Sequence, residues 1–240
     1  MKYVLLLLLM IVIAMASCKK TNSFNANVLF YNASWSVPAV TAAWNGNDIV
    51  STGIAQGRSS GTADSPYVQV PAGTNLITVK AGSTALLNKN IYASAATGSS
   101  FIIFDTSASS APARIIQLTD DLTLPDSLQI KLRQLYMVPD LTVKFDTWLV
   151  NGTIDSIRLD SAGYFAGSTL TASSIQAFTA QNIYGTYTIK VKKTATNQVY
   201  ASVANYPFLK RGIYSIVFSG LPAGTGAAAL QLSVLHHHTQ

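Results

Sequence analysis

The chain has 240 residues, with 16 Lys and Arg against 10 acidic residues, a net charge of +6, and only 11% charged residues. Every acidic residue is an aspartate, and Cys18 is the single cysteine. An internal disulfide is therefore excluded, and a helical body, whose surface would draw on Glu and Lys, is disfavoured. The abundance of Thr, Ser, Val, Ile, Tyr, Asn and Gly points to strands joined by turns.

Lys2 precedes an apolar run from Tyr3 to Met15, shorter than the roughly 20 residues that span a bilayer. Residues 1–17 read as a cleaved signal peptide. Its end, Met15-Ala16-Ser17-Cys18, resembles the lipobox of bacterial lipoproteins. That resemblance implies lipidation at Cys18, and two or more acyl chains hold a protein on a membrane stably. The expected setting is the cell envelope, with the membrane as partner through the lipid anchor. Lys19, where aspartate would signal inner-membrane retention, favours the outer membrane. Residues 18–26 then form a tether.

Beyond it, the sequence repeats. Val70 to Lys80 aligns with Asn182 to Lys192, Ile91 to Ala96 with Val199 to Ala204, and Phe101 to Phe104 with Tyr214 to Phe218. The order is preserved at a nearly constant offset, so two copies of about the size of a β-sandwich domain are expected, at 27–124 and 125–240. Strand periodicity is clear in Thr186 to Lys192: Tyr187, Ile189 and Val191 lie on one face, Thr188, Lys190 and Lys192 on the other. Asn45-Gly46 is a hairpin turn, and Asn151-Gly152 sits at the matching place. Ala113 to Thr119 and Ala228 to His236 read as the last strands of the two copies. Gly73 and Gly185 open matched strands. A cut near Pro125 to Ser127 is expected to release two separately folded halves.

Several segments together resemble domain of unknown function 4397, an immunoglobulin-like β-sandwich family of bacterial surface proteins. They are Tyr67-Val68-Gln69-Val70-Pro71-Ala72-Gly73, Asn32-Ala33-Ser34 with Val37-Pro38 and Trp44-Asn45-Gly46, Leu118 through Pro125, and Arg133 through Pro139-Asp140. The usual histidine, proline and aspartate are replaced at Asn32, Trp35 and Ser36. The resemblance implies an all-β protein of two tandem immunoglobulin-like sandwiches after the signal peptide. It implies a surface setting and no particular activity.

The residues offer little for catalysis, and no cofactor or metal site is marked. The histidines are confined to His236-His237-His238, read as a polar tail. Asp120 and Asp121 read as a domain linker with turn and capping roles, a calcium site formed with Asp126 being the competing reading. Trp35, Trp44 and Trp148 are candidate contacts for a glycan, with burial in the core as the competing reading. Ser127, Ser156 and Ser161, each after an aspartate and before an apolar residue, resemble a short O-glycosylation signal. From Leu128 onward nine basic residues face four acidic ones, chiefly Lys190, Lys192, Lys193, Lys210 and Arg211. Export argues against nucleic acid, and a solvated face is expected there. The expected role is a non-catalytic binding, adhesion or structural module whose partner is a glycan or an envelope protein. The rival is an extracytoplasmic carbohydrate-active hydrolase using Asp carboxylates.

Overall fold

A computed structural model describes residues 25–62, 66–105, 114–139, 144–152, 155–159 and 177–238. The protein is all-β. The first eight strands are β1 (Asn25–Asn32), β2 (Ala39–Trp44), β3 (Asn47–Ala55), β4 (Val68–Pro71), β5 (Gly73–Ala81), β6 (Thr84–Ala93), β7 (Gly98–Phe104) and β8 (Arg114–Asp120). The next eight are β9 (Ile130–Met137), β10 (Phe145–Asn151), β11 (Asp155–Leu159), β12 (Thr179–Gln181), β13 (Gly185–Lys193), β14 (Val199–Phe208), β15 (Ile213–Ser219) and β16 (Gln231–His238). No helix among the described residues is long and apolar enough to cross a membrane.

The described strands form four sheets of four, ordered β4-β1-β7-β8, β3-β2-β5-β6, β12-β9-β15-β16 and β11-β10-β13-β14. Adding eight to every label of the first pair gives the second pair, so the sequence repeat is a repeat of topology. Each copy carries one parallel pairing, β1 with β7 and β9 with β15.

Alternation assigns the faces. Val28 and Phe30 of β1, with Phe101 and Ile103 of β7, pack against Trp44, Ile77 and Val79 of the facing sheet. Ile130 and Leu132 of β9, with Tyr214 and Ile216 of β15, pack against Leu149, Ile189 and Phe208. The intervening residues do not face water. Leu29, Tyr31, Ile102, Phe104 and Leu118 of the first half meet Leu135, Met137, Val217 and Leu235 of the second in a further buried cluster. The β1 and β9 sheets are thus covered on both faces, and all seven residues of β7 and of β15 are buried. A strand buried on both faces must be apolar throughout, as these nearly are.

Register refines the repeat. Gly73 pairs with Ala93 and Gly185 with Phe208. With the two glycines superposed, Tyr92 corresponds to Pro207, so the match of Ile91–Ala96 to Val199–Ala204 is out of register. The hairpin holds: Asn45 and Gly46 both have positive φ, at 50° and 80°, as a type I′ turn demands.

Candidate functional site

The seam between the halves holds a ring of hydrogen-bonded polar side chains. The Arg133 guanidinium donates through Nη1 to Asp120 Oδ1 at 2.8 Å and through Nε to Ser215 Oγ at 3.0 Å. Ser215 Oγ lies 2.7 Å from His237 Nε2, and His237 Nδ1 lies 2.7 Å from Tyr67 Oη. Tyr67 donates to Asp120 Oδ2 at 2.7 Å, as does Ser100.

Donor inventory, together with a neutral imidazole, gives the direction of each bond. The one Tyr67 proton goes to the carboxylate, so Tyr67 Oη accepts from Nδ1–H. Burial keeps the imidazole neutral, so its Nε2 is an acceptor and Ser215 donates to it. Ser215 Oγ in turn accepts from Arg133. The loop Arg133 to Ser215 to His237 to Tyr67 to Asp120 closes on the Arg133–Asp120 ion pair. Phe178 covers the guanidinium at 4.3 Å from its ring centre.

Asp120, Arg133, Ser215 and His237 are each 3% exposed or less. Burial pushes the His237 imidazole from its ordinary 6.5 down to about 3, opposed by the Asp120 charge and reinforced by Arg133 and His236. Burial also raises the Tyr67 phenol, and the adjacent Asp120 raises it further. Both shifts hold the ring in the protonation state that its bonds require.

The ring occupies corresponding positions in the two copies. Ser100 and Ser215 are third in β7 and β15, and Tyr67 and Phe178 each immediately precede β4 and β12. Asp120 and His237 stand near the ends of β8 and β16. The seam thus brings corresponding strands of the two halves together.

A serine hydrogen-bonded to a histidine is the first half of a nucleophile arrangement. Here Ser215 is fully buried, its oxygen already accepts from Arg133, and the imidazole is oriented by tyrosine rather than carboxylate. The chemistry available to the ring is cohesion.

The expected site residues are dispersed. Cys18 and Ser161 lie outside the described residues. Trp44 is corrected from ligand contact to core: it is buried, edge-on to Phe101, because β2 turns its even positions inward. Trp148 is half-buried, with Lys192 Nζ 4.8 Å above its ring, so one ring face is already taken. Trp35 is half-buried in a loop fastened to the buried Asp105, whose carboxylate accepts from Trp35 N at 2.7 Å, Ser34 Oγ at 2.9 Å and Ser36 N at 3.2 Å. Ser127 and Ser156 are exposed. The histidine run is corrected from tail to strand, since all three residues belong to β16. Asp121 is the exposed turn residue expected, accepting from Thr123 N at 3.0 Å, whereas Asp120 is the buried anion of the ring.

Tyr67, Ser100, Arg133 and Ser215 belong to no sequence motif that marks them as site residues. The available signal was a serine inside each of two continuous apolar strands and an arginine inside a third. Two surface clefts flank the seam. One, of about 330 Å³, lies between the halves, lined by Gly57, Arg58 and Ser59 on one side and Val203, Tyr206 and Ser233 on the other. The second, of about 370 Å³, is lined by Asn27, Ala95–Gly98 and Asp120–Thr123.

No family model matches the chain, and the comparison with curated proteins gives no match. Among solved structures, the chain is similar to one from Bacteroides thetaiotaomicron, provisionally described as polysaccharide binding (domain of unknown function 1812). The identity is 12% over 90% of this chain and 98% of that one, with a TM-score of 0.23.

Proposed function

We propose that the chain is an envelope lipoprotein anchored through Cys18, whose two tandem immunoglobulin-like sandwiches form a rigid, non-catalytic binding module. The kinship to domain of unknown function 4397 and the outer-membrane setting belong to the same reading. The observation that carries it is the state of four of the described carboxylates, Asp48 and Asp126 being exposed. Asp105 and Asp120 are buried and saturated with hydrogen bonds, Asp146 is buried beside Arg158 at 2.9 Å, and Asp121 is bound by Lys131. A glycosidase needs two carboxylates facing one accessible bond. These instead fix loops and the seam.

The cleft between the halves suits a polar ligand with a stackable face, a glycan above all. Tyr206 offers an aromatic ring and Arg58 a guanidinium on opposite walls of the cleft. The test is a glycan array with residues 21–240, wild type and Tyr206→Ala, alongside a hydrolysis assay on any glycan retained. Retention that Tyr206→Ala abolishes, without turnover, supports the proposal. Turnover, or binding indifferent to Tyr206, overturns it.

A further inference from the structure

One end of the second half collects apolar and basic side chains in the open. Three segments converge there. Arg211 N donates to Gln129 O at 2.7 Å, and Gln129 Nε2 donates to Asn182 Oδ1 at 3.0 Å. Lys210 Nζ sits 4.7 Å from the centre of the Tyr184 ring. The side chains displayed are Leu128, 54% exposed, Leu209, 55%, and Tyr184, 45%. Lys210 is exposed among them, and Arg211 is half-exposed with φ +62°, so the 209–212 turn projects Leu209 and Lys210 from a tight left-handed bend. Asp126 is the nearby acidic residue, its carbonyl accepting from Gln129 N.

The same end receives the start of the chain's body. Asn27 pairs with Gly98, Gly98 pairs with Asp120, and Asn27 shares a cleft with Asp121–Thr123. Lys131 then joins that segment to the patch, bonding Asp121 at 2.6 Å and Thr123 Oγ1 at 2.7 Å through its side chain and Gly212 O at 2.9 Å through its amide. Only six residues lie between Cys18 and Asn25, seven steps along the chain with a reach of at most about 25 Å.

We infer that this end faces the membrane and that Leu128, Tyr184, Leu209 and Lys210 rest on an anionic phospholipid headgroup layer. Leucines and a tyrosine beside cations have the chemistry of an interfacial contact: the apolar groups enter the headgroup boundary and the ammonium pairs with phosphate. The position of the tether rests on the anchoring proposed above. The patch itself does not, since its charge and apolar exposure stand without a lipid chain.

The test is sedimentation of residues 21–240, which retain all sixteen described strands, with vesicles of phosphatidylcholine alone or mixed with phosphatidylglycerol. Binding is expected on the anionic vesicles only. Lys210→Gln should weaken it about fivefold, and Leu209→Ser with Lys210→Gln at least about tenfold. Lys89→Gln, an equal charge loss on the exposed face of β6, should leave it unchanged. Equal binding to both vesicles, or equal loss in the Lys89 and Lys210 variants, overturns the inference. Detergent-phase partitioning of the full chain and of Cys18→Ala tests the anchor separately, so either reading can fail alone.

Discussion

At Gly73 and Gly185 the backbone sits at φ +103° and +106°, and a Cβ built on either would meet nothing within 4 Å. The demand for glycine is therefore conformational and owes nothing to crowding. Gly73→Ala and Gly185→Ala should each cost about 1 kcal/mol or more, read as a lower urea midpoint with an unchanged m-value. An unchanged midpoint would mean that the turns relax to negative φ. His237 carries the second prediction at this scale. Its folded value of about 3 lies below its ordinary 6.5, so between those limits the unfolded chain binds a proton that the folded chain refuses. Stability contributed by the neutral imidazole is complete above pH 6.5 and falls as the pH drops through the window, by up to about 1.4 kcal/mol per unit. Asp121, lowered to about 2 chiefly by its hydrogen bond from Lys131, loses stability in the same direction but lower, below its ordinary 3.8. Its exposure makes that contribution small. Urea titrations at pH 7 and pH 5 should differ for the wild type. They should differ much less for His237→Gln, which will be less stable at both. Arg133→Met, which leaves the buried Asp120 charge without its partner, should cost about 3–5 kcal/mol.

Strands with one wet face were legible, and strands with two covered faces were not. Tyr187, Ile189 and Val191 alternate with polar residues because β13 has solvent on one side, and period two exposes that directly. Phe101-Ile102-Ile103-Phe104 has no alternation to read, because Phe101 and Ile103 face one sheet while Ile102 and Phe104 face the other half of the molecule. An apolar run reveals burial but not what covers it. The ring was less visible still: Tyr67 and His237 are 170 residues apart, and neither belongs to a motif that would join them. The resemblance included Tyr67, Asp120 and Arg133 as separate segments but gave no hint that they meet. The histidines failed for a related reason, since a run of identical residues has no periodicity. In β16 His236 stacks on Tyr214 at 4.5 Å between ring centres, while His237 points to the opposite face and into the seam.

The topological repeat suggests two bodies on a string, and the seam argues for one. Asp126, Ser127 and Leu128 are exposed and could be cut. What a cut would have to separate is the cluster of Leu29, Tyr31, Ile102, Phe104 and Leu118 against Leu135, Met137, Val217 and Leu235. Burying such side chains contributes roughly 1.5–3 kcal/mol each, so a separated half would expose a face too apolar to stand in water. It would also leave Asp120 in one piece and Arg133 in the other, each without the charge that offsets its burial. A protease site inserted between Asp126 and Ser127, once cleaved, should yield fragments that elute together and unfold in one transition at a concentration-dependent midpoint. Salt should loosen them little, because the ion pair is buried and the remaining contact is apolar. Acid should loosen them more, since protonating His237 would force Nε2 to become a donor against Ser215 and reverse a ring whose directions are otherwise fixed. Fragments that separate at neutral pH and fold as independent bodies would show that the copies kept their own cores and that the seam contributes little. If they remain together at pH 7 and part as the pH falls below 6.5, the ring and not the apolar cluster alone decides whether the halves act as one rigid module.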